Sequence, residues 1–333
     1  MRTLVLLTCF MLMASMQAAN ANGKLSEIRP LVIYMSPPEE SSFLQLVDNG
    51  LSKAQTKLQI PVSRLVIDNN DYLNGINSAV AQGYDPILLV YAAGMQGLKQ
   101  FVTQNPGTRF ILYDVSYDIA NSIGIIFDHS HAAYTIGYLA GVKTKSNKVG
   151  FIGGLNSRPV NNFKCGFELG LQQANPDASF YVKYIGEDSK AWTDTAQARK
   201  LAIEMYNQGI DIIFPVAGAA NEAIYQVAME KRINTFGIDM NQNSRYSEVM
   251  LASMVKHVDK ATYAVLKQLY LGIWNSNHKH FGSSQNMINV LLNEQHLETN
   301  NDDKAMIKRL SKEMKLPISK PIKLLNTRCD RHL

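Results

Sequence analysis

Three cysteines among 333 residues exclude a small disulfide-stapled scaffold. Charged side chains make up only 18% of the chain and apolar ones 46%, which excludes a disordered, highly charged protein. No segment comes near the roughly 20 apolar residues that a membrane-spanning helix requires. Catalytic signatures are missing too: there is no Gly-Lys-Ser/Thr phosphate loop, no Gly-x-Ser-x-Gly elbow and no His-Glu-x-x-His zinc helix. Gly150–Leu155 follows a strand and precedes a helix but lacks the dinucleotide-loop spacing, so its glycines are read as a tight turn or a close backbone approach. The close histidine pairs, His129/His131 and His278/His280, have no neighbouring cysteine or i, i+4 partner, so no metal is expected. No cofactor is expected either.

What is present begins with an export signal. Arg2, the apolar run Leu4–Met13 and the small-residue site Ala19-Asn20-Ala21 read as a secretory signal peptide over residues 1–21. Thr8 before Cys9 is a poor fit for acylation, so a soluble, periplasmic protein is expected. Cys165 and Cys329 remain after cleavage and can pair in an oxidising compartment, although spacing alone does not bring them together. The excess positive charge is local: Lys304–Arg331 carries nine Lys/Arg against two acids. Without interleaved aromatics this reads as a solvated face, not a nucleic-acid platform.

Short apolar strands alternate with amphipathic helices along the chain. The pattern predicts strands at 30–35, 64–68, 85–93, 109–114, 122–127, 148–154, 179–186, 211–218, 233–239, 249–255 and 287–292. Helices are predicted at 42–58, 72–82, 95–104, 131–144, 161–174, 193–208, 221–231, 259–271 and 301–314. Such alternation means α/β architecture with parallel sheets covered by helices. Two successive runs of it suggest two Rossmann-like lobes. Ligands in such sheets sit beyond the carboxyl ends of the strands. "INTFGIDMNQNS" delivers Asp239 to that edge, where a catalytic acid, a metal ligand and a cap are all open readings.

Five ordered blocks carry a resemblance: "FDHSHAAYTIGYLAG", "KVGFIGGLNSRPVNNFKCGFELGLQQANPD", "AWTDTAQARKLAIEMYNQGIDIIFPVAGAANEAIYQVAMEKRI", "FGIDMNQN" and "LASMVKHVD". Together they resemble the basic membrane protein (BMP) family of periplasmic solute-binding proteins, which includes purine-nucleoside receptors of ABC transporters. The resemblance is continuous over 127–261 and weaker but collinear over 31–126. It implies the type I periplasmic-binding-protein fold, with two lobes joined by a three-crossover hinge that closes on ligand. The expected lobes are 28–127 plus 255–283 and 128–254 plus 284–326. It implies a monomeric, non-enzymatic receptor that hands a nucleoside to an inner-membrane ABC permease.

The resemblance also carries over ligand contacts. Trp192 in "AWTDT" matches the aromatic that stacks on the base, with Phe43 facing it from the other lobe. Gly218 in "VAGAAN", Asp239 in "GIDMNQN" and Lys256 in "SMVKHVD" match the ribose end, and Asp114 in "ILYD" matches an acceptor for the base. Physically, a carboxylate accepts from vicinal hydroxyls while an ammonium donates to the same oxygens, and neither charge is easily buried alone. The chain departs from the family at Glu40 and Leu44 in "EESSFLQ", and at Asn241. These changes keep a free sugar or another small polar solute open as the ligand. A nucleosidase acting through Asp239 is the remaining alternative.

Overall fold

The alternation of apolar runs and amphipathic helices becomes two six-stranded sheets in the computed structural model. It describes residues 28–67, 71–90, 92, 95–276 and 278–296, with 305, 308, 309, 312, 325, 328 and 329. The first sheet holds β1 (Leu31–Tyr34), β2 (Ser63–Val66), β3 (Ile87–Leu89), β4 (Phe110–Tyr113), β5 (Ser122–Phe127) and β11 (Lys279–Phe281), in the order β11-β5-β4-β3-β1-β2. The second holds β6 (Lys148–Leu155), β7 (Ser179–Gly186), β8 (Ile212–Val216), β9 (Asn234–Asp239), β10 (Met250–Lys256) and β12 (Ile288–Leu292), in the order β12-β10-β9-β8-β6-β7. Every pairing is parallel except β12 on β10. The inner strands are continuous buried apolar runs, as parallel sheets covered on both faces require. On the edge, β2 exposes Leu65 and Val66.

Eight α-helices among the described residues cover the sheets: α1 (Ser42–Leu58), α2 (Tyr72–Ala81), α3 (Leu98–Gln104), α4 (His129–Lys143), α5 (Arg158–Ala174), α6 (Thr195–Asn207), α7 (Asn221–Lys231) and α8 (Val258–Tyr270). The chain crosses between the sheets three times: from β5 into α4, from β10 back into α8 against α1, and from β11 to β12. All three passages flank the carboxyl ends of strands, so the crossings gather around one cleft.

Most sequence-based boundaries hold within three residues, and the exceptions have local causes. The helix expected from Asn161 begins at Arg158, because Pro159 occupies the first turn, where its missing N–H costs nothing. β11 was not expected: three half-exposed residues have no periodic signal and become a strand only by pairing with β5. The predicted signal peptide lies outside the described residues, as does most of the predicted helix 301–314.

Helices α4 and α5 approach each other through glycine. A Cβ on Gly137 would collide with the Phe167 carbonyl, one on Gly166 with that of Ser130, and one on Gly170 with that of Tyr134. Cys165 on the same helix is bonded to Cys329, and Leu325 is buried beside Tyr134 and Leu169. The pairing left open by spacing therefore pins the chain's end to α5. The second sheet's core is aromatic, with Phe167 stacked on Phe214 at 5.1 Å and Phe236 edge-on to both.

Candidate ligand site between the two sheets

Two strands at the same station of their sheets end in an acid. β4 is followed by Asp114 and β9 ends in Asp239, each third from the crossover edge. Both have left-handed backbones, with φ of +57° and +66°. Asp tolerates this region better than most residues, at a cost of about 1 kcal/mol or more, so the surrounding structure must hold it there. The turn throws each carboxylate out of the strand's pleat toward the cleft.

Each acid meets a partner from the carboxyl end of the neighbouring strand. Lys256, the last residue of β10, puts its Nζ 2.9 Å from Asp239 Oδ1. Both side chains are nearly closed to solvent, at 4% and 8% exposure. The ammonium also lies over the rings of Phe43 at 4.6 Å, Phe163 at 5.5 Å and Phe127 at 5.6 Å. Those aromatic faces stabilise a cation that has lost its water.

His129, two residues beyond β5 and first in α4, places Nε2 3.3 Å from Asp114 Oδ1. Its ring is 2% exposed and stacks on Phe163 at 4.0 Å. Burial pulls the imidazole below its ordinary pKa, more than the neighbouring carboxylates raise it, so the ring is neutral at pH 7. Burial pushes the Asp114 carboxyl up, but the His129 hydrogen bond and the positive charge nearby outweigh it and hold the group below its usual range.

One cavity of about 60 Å³ is lined by Phe43, Asp114, Trp192, Gly218, Asp239 and Lys256, so the six residues singled out in the sequence are brought together. Trp192 closes a short 3₁₀ turn after β7 and lies flat on Gly154, where a Cβ would come within 2.6 Å of the indole. That contact explains the glycine pair in "GFIGGL". Gly218 opens the turn after β8 with φ of +60°, and Asn221 fixes that turn by accepting from the Ala217 N–H at 2.8 Å. Phe43 projects from the first turn of α1 and meets Tyr113 edge-on at 6.1 Å.

The departures noted in the first loop fall elsewhere. Leu44 is fully buried in the core and Glu40 is exposed, and neither lines the cavity. Asn241 is exposed and accepts from the Asn243 N–H.

Sequence reasoning missed Phe163, Asn221 and His129. Asn221 lies directly after the Gly218 turn, a signal available in the chain. Phe163 and His129 sit in helices, and only the packing of α4 and α5 shows that they face the cleft. Among the described residues no cluster of His, Cys, Asp or Glu could hold a metal ion.

A family model described as "ABC transporter substrate-binding protein PnrA-like", the Bmp family, matches residues 30–322. The chain belongs to the Bmp family. It is similar to Basic membrane protein A of Borreliella burgdorferi, at 28% identity over 246 residues, covering 72% of this chain and 69% of that one. Among solved structures it resembles an ABC-transporter solute-binding protein from Aeropyrum pernix, with a TM-score of 0.73 at 19% identity and coverage of 86% and 91%. It also resembles a carbohydrate-transporter solute-binding protein from Agrobacterium radiobacter solved with D-arabinose, with a TM-score of 0.65 at 15% identity and coverage of 85% and 99%. At these identities the structures show a shared fold, that of type I periplasmic solute-binding proteins. This Bmp-family chain is thus an ABC-transporter type of substrate-binding protein. Its family implies a small-molecule ligand, a membrane permease as partner and a place in the periplasm or on the cell surface.

Proposed function

We propose that this chain binds a nucleoside, with purine preferred, in the cleft between its sheets and delivers it to an inner-membrane ABC permease. The observation that carries the reading is the buried Lys256–Asp239 pair beneath Phe43, in one cavity with Trp192 and Asp114. Asp239 accepts from the ribose hydroxyls and Lys256 donates to the same oxygens. Phe43 and Trp192 take the ring between them, and Asp114 accepts from a ring N–H. The cavity of about 60 Å³ is far below the ~300 Å³ at which small-molecule sites begin, so the lobes part to admit the ligand and close on it. The lobes are 28–127 with 255–283 and 128–254 with 284–326. The protein works as an exported monomer, freed of residues 1–21.

The test uses the two tryptophans. Trp192 lines the cleft, while Trp274 donates to the Ala120 carbonyl away from it. Adding adenosine, guanosine or inosine shifts the fluorescence of the wild type and of Trp274→Phe alike, and the nucleoside is recovered intact. Flat fluorescence and flat calorimetry with all purine and pyrimidine nucleosides overturn the reading. Release of free base from inosine would instead make the protein a nucleosidase. The small cavity favours a free pentose as the second reading, and ribose binding with no gain from an attached base would establish it.

A further inference from the structure

A second cavity, about 280 Å³, adjoins the cleft and shares Asp114 and Pro159 with it. Its walls are polar where the cleft is apolar. His129, Asn156, Ser157, Arg158, Asn162 and His280 line it beside Asp114. His129 is the group the proposed site leaves unused. It is buried, its Nε2 faces the Asp114 carboxylate, and its Nδ1 is buried with no hydrogen-bond partner.

A neutral imidazole that donates from Nε2 to a carboxylate has a bare lone pair at Nδ1. Leaving that acceptor unpaired in the interior is costly, and the free protein has nothing to offer it. Asp114 is likewise an acceptor. The wall therefore offers two acceptors and no competing donor at this point. We propose that His129 is a specificity-determining residue of the ligand site: with Asp114 it reads a ring edge bearing two adjacent N–H donors, which enters the polar annex. This rests on the nucleoside reading and narrows it. Guanosine, whose N1–H is flanked by an amino group, satisfies both acceptors. Inosine lacks the amino group and satisfies one. Adenosine puts an acceptor at N1 and opposes Asp114.

Protonation inverts the reading, because Nδ1 then becomes a donor. The charged groups around the ring are Asp114 after β4, Asp239 and Lys256 at the ends of β9 and β10, Asp128 before α4, Arg158 on α5 and His280 on β11. Lys256 and burial oppose the imidazolium while Asp114 and Asp239 favour it, and burial dominates.

Calorimetry on the full mature chain tests this with guanosine and inosine against wild type, His129→Gln and His129→Leu, at pH 7.5 and 5.5. Guanosine binds the wild type about tenfold tighter than inosine at pH 7.5, the worth of one buried hydrogen bond. His129→Leu brings the ratio to about one. His129→Gln keeps most of it, since the amide donates to Asp114 and leaves its oxygen near the place of Nδ1. Acid shrinks the ratio in the wild type and not in the Gln variant. Equal affinities in the wild type, or a Leu variant that weakens both ligands alike, overturn the proposal and leave His129 a packing residue. If neither nucleoside binds, the nucleoside reading fails, and ¹⁵N NMR of the unliganded imidazole decides separately. The Nε2–H tautomer with a bare Nδ1 upholds the two-acceptor wall, whereas an Nδ1–H tautomer or an imidazolium at pH 7.5 overturns it.

Discussion

Asp114 and Asp239 are the same structural device used twice. Each stands third from the crossover edge of a six-stranded sheet, at the carboxyl end of its strand, with a left-handed backbone. Each takes its partner from the end of the next strand. The partners differ in kind. Lys256 is a fixed cation beneath three aromatic rings, and His129 is a neutral donor that protonation can change. Two stations with one backbone geometry thus yield a permanent ion pair on one side of the cleft and a titratable pair on the other. Fold repetition sets where an acceptor stands, and the partner sets what it can recognise.

Removing one charge from the permanent pair is the harshest way to break the comparison. Lys256→Met leaves Asp239 buried and unpaired and should cost about 3–5 kcal/mol, read as a large fall in Tm, with ligand binding abolished. The double variant Lys256→Met/Asp239→Asn should recover most of that stability and none of the binding. A fall in Tm under about 1 kcal/mol for the single variant would show that water reaches the pair.

Asp114→Asn probes the other station more gently, because Asp114 is 20% exposed and Asn accepts a positive φ. Stability should change by about 1 kcal/mol or less. Guanosine affinity should fall about tenfold or more in calorimetry, since an amide cannot replace a carboxylate acceptor for two donors. Unchanged affinity would place the ring elsewhere.

A pH series sharpens the contrast further. The folded protein holds the His129 pKa below its ordinary 6.5, so the unfolded chain binds more protons just below that value. Stability should therefore decline as pH falls from about 6.5, and the lowered Asp114 adds a second decline below 3.8. His129→Gln should remove the upper decline and leave the lower one. A Tm flat from pH 7.5 to 5 in the wild type would contradict a buried neutral imidazole. The smallest effect belongs to Gly154→Ala, whose Cβ tilts the Trp192 indole. A shift in its emission maximum with little loss of stability is the expected readout.

Much of the architecture is legible without coordinates because parallel α/β folds write it locally. "RFILYD" and "INTFGID" are buried runs bounded by polar turns, and the acid at the end of each is placed by strand geometry alone. β11 is the counterexample. Lys279–Phe281 has no pattern of its own and is a strand only because β5 offers an unpaired edge. The candidate site divides in the same way. Gly218 and Asp239 follow strands and Lys256 ends one, so strand endings mark all three. His129 was met as half of a His-x-His pair and set aside as a metal ligand. That judgement concerned its chain neighbours, whereas its role depends on Asp114 and Phe163 in space.

The cysteines draw the last line. By itself the sequence determined the alternation, the acids at the strand ends and the family, since these depend on local pattern and ordered motifs. Only the tertiary structure decided that Cys165 meets Cys329 across 164 residues, that Lys256 neutralises Asp239, and that His129 turns to Asp114. Those contacts arise where the chain crosses between two sheets. The spacing of residues along the chain holds no measure of which ends such crossings bring together.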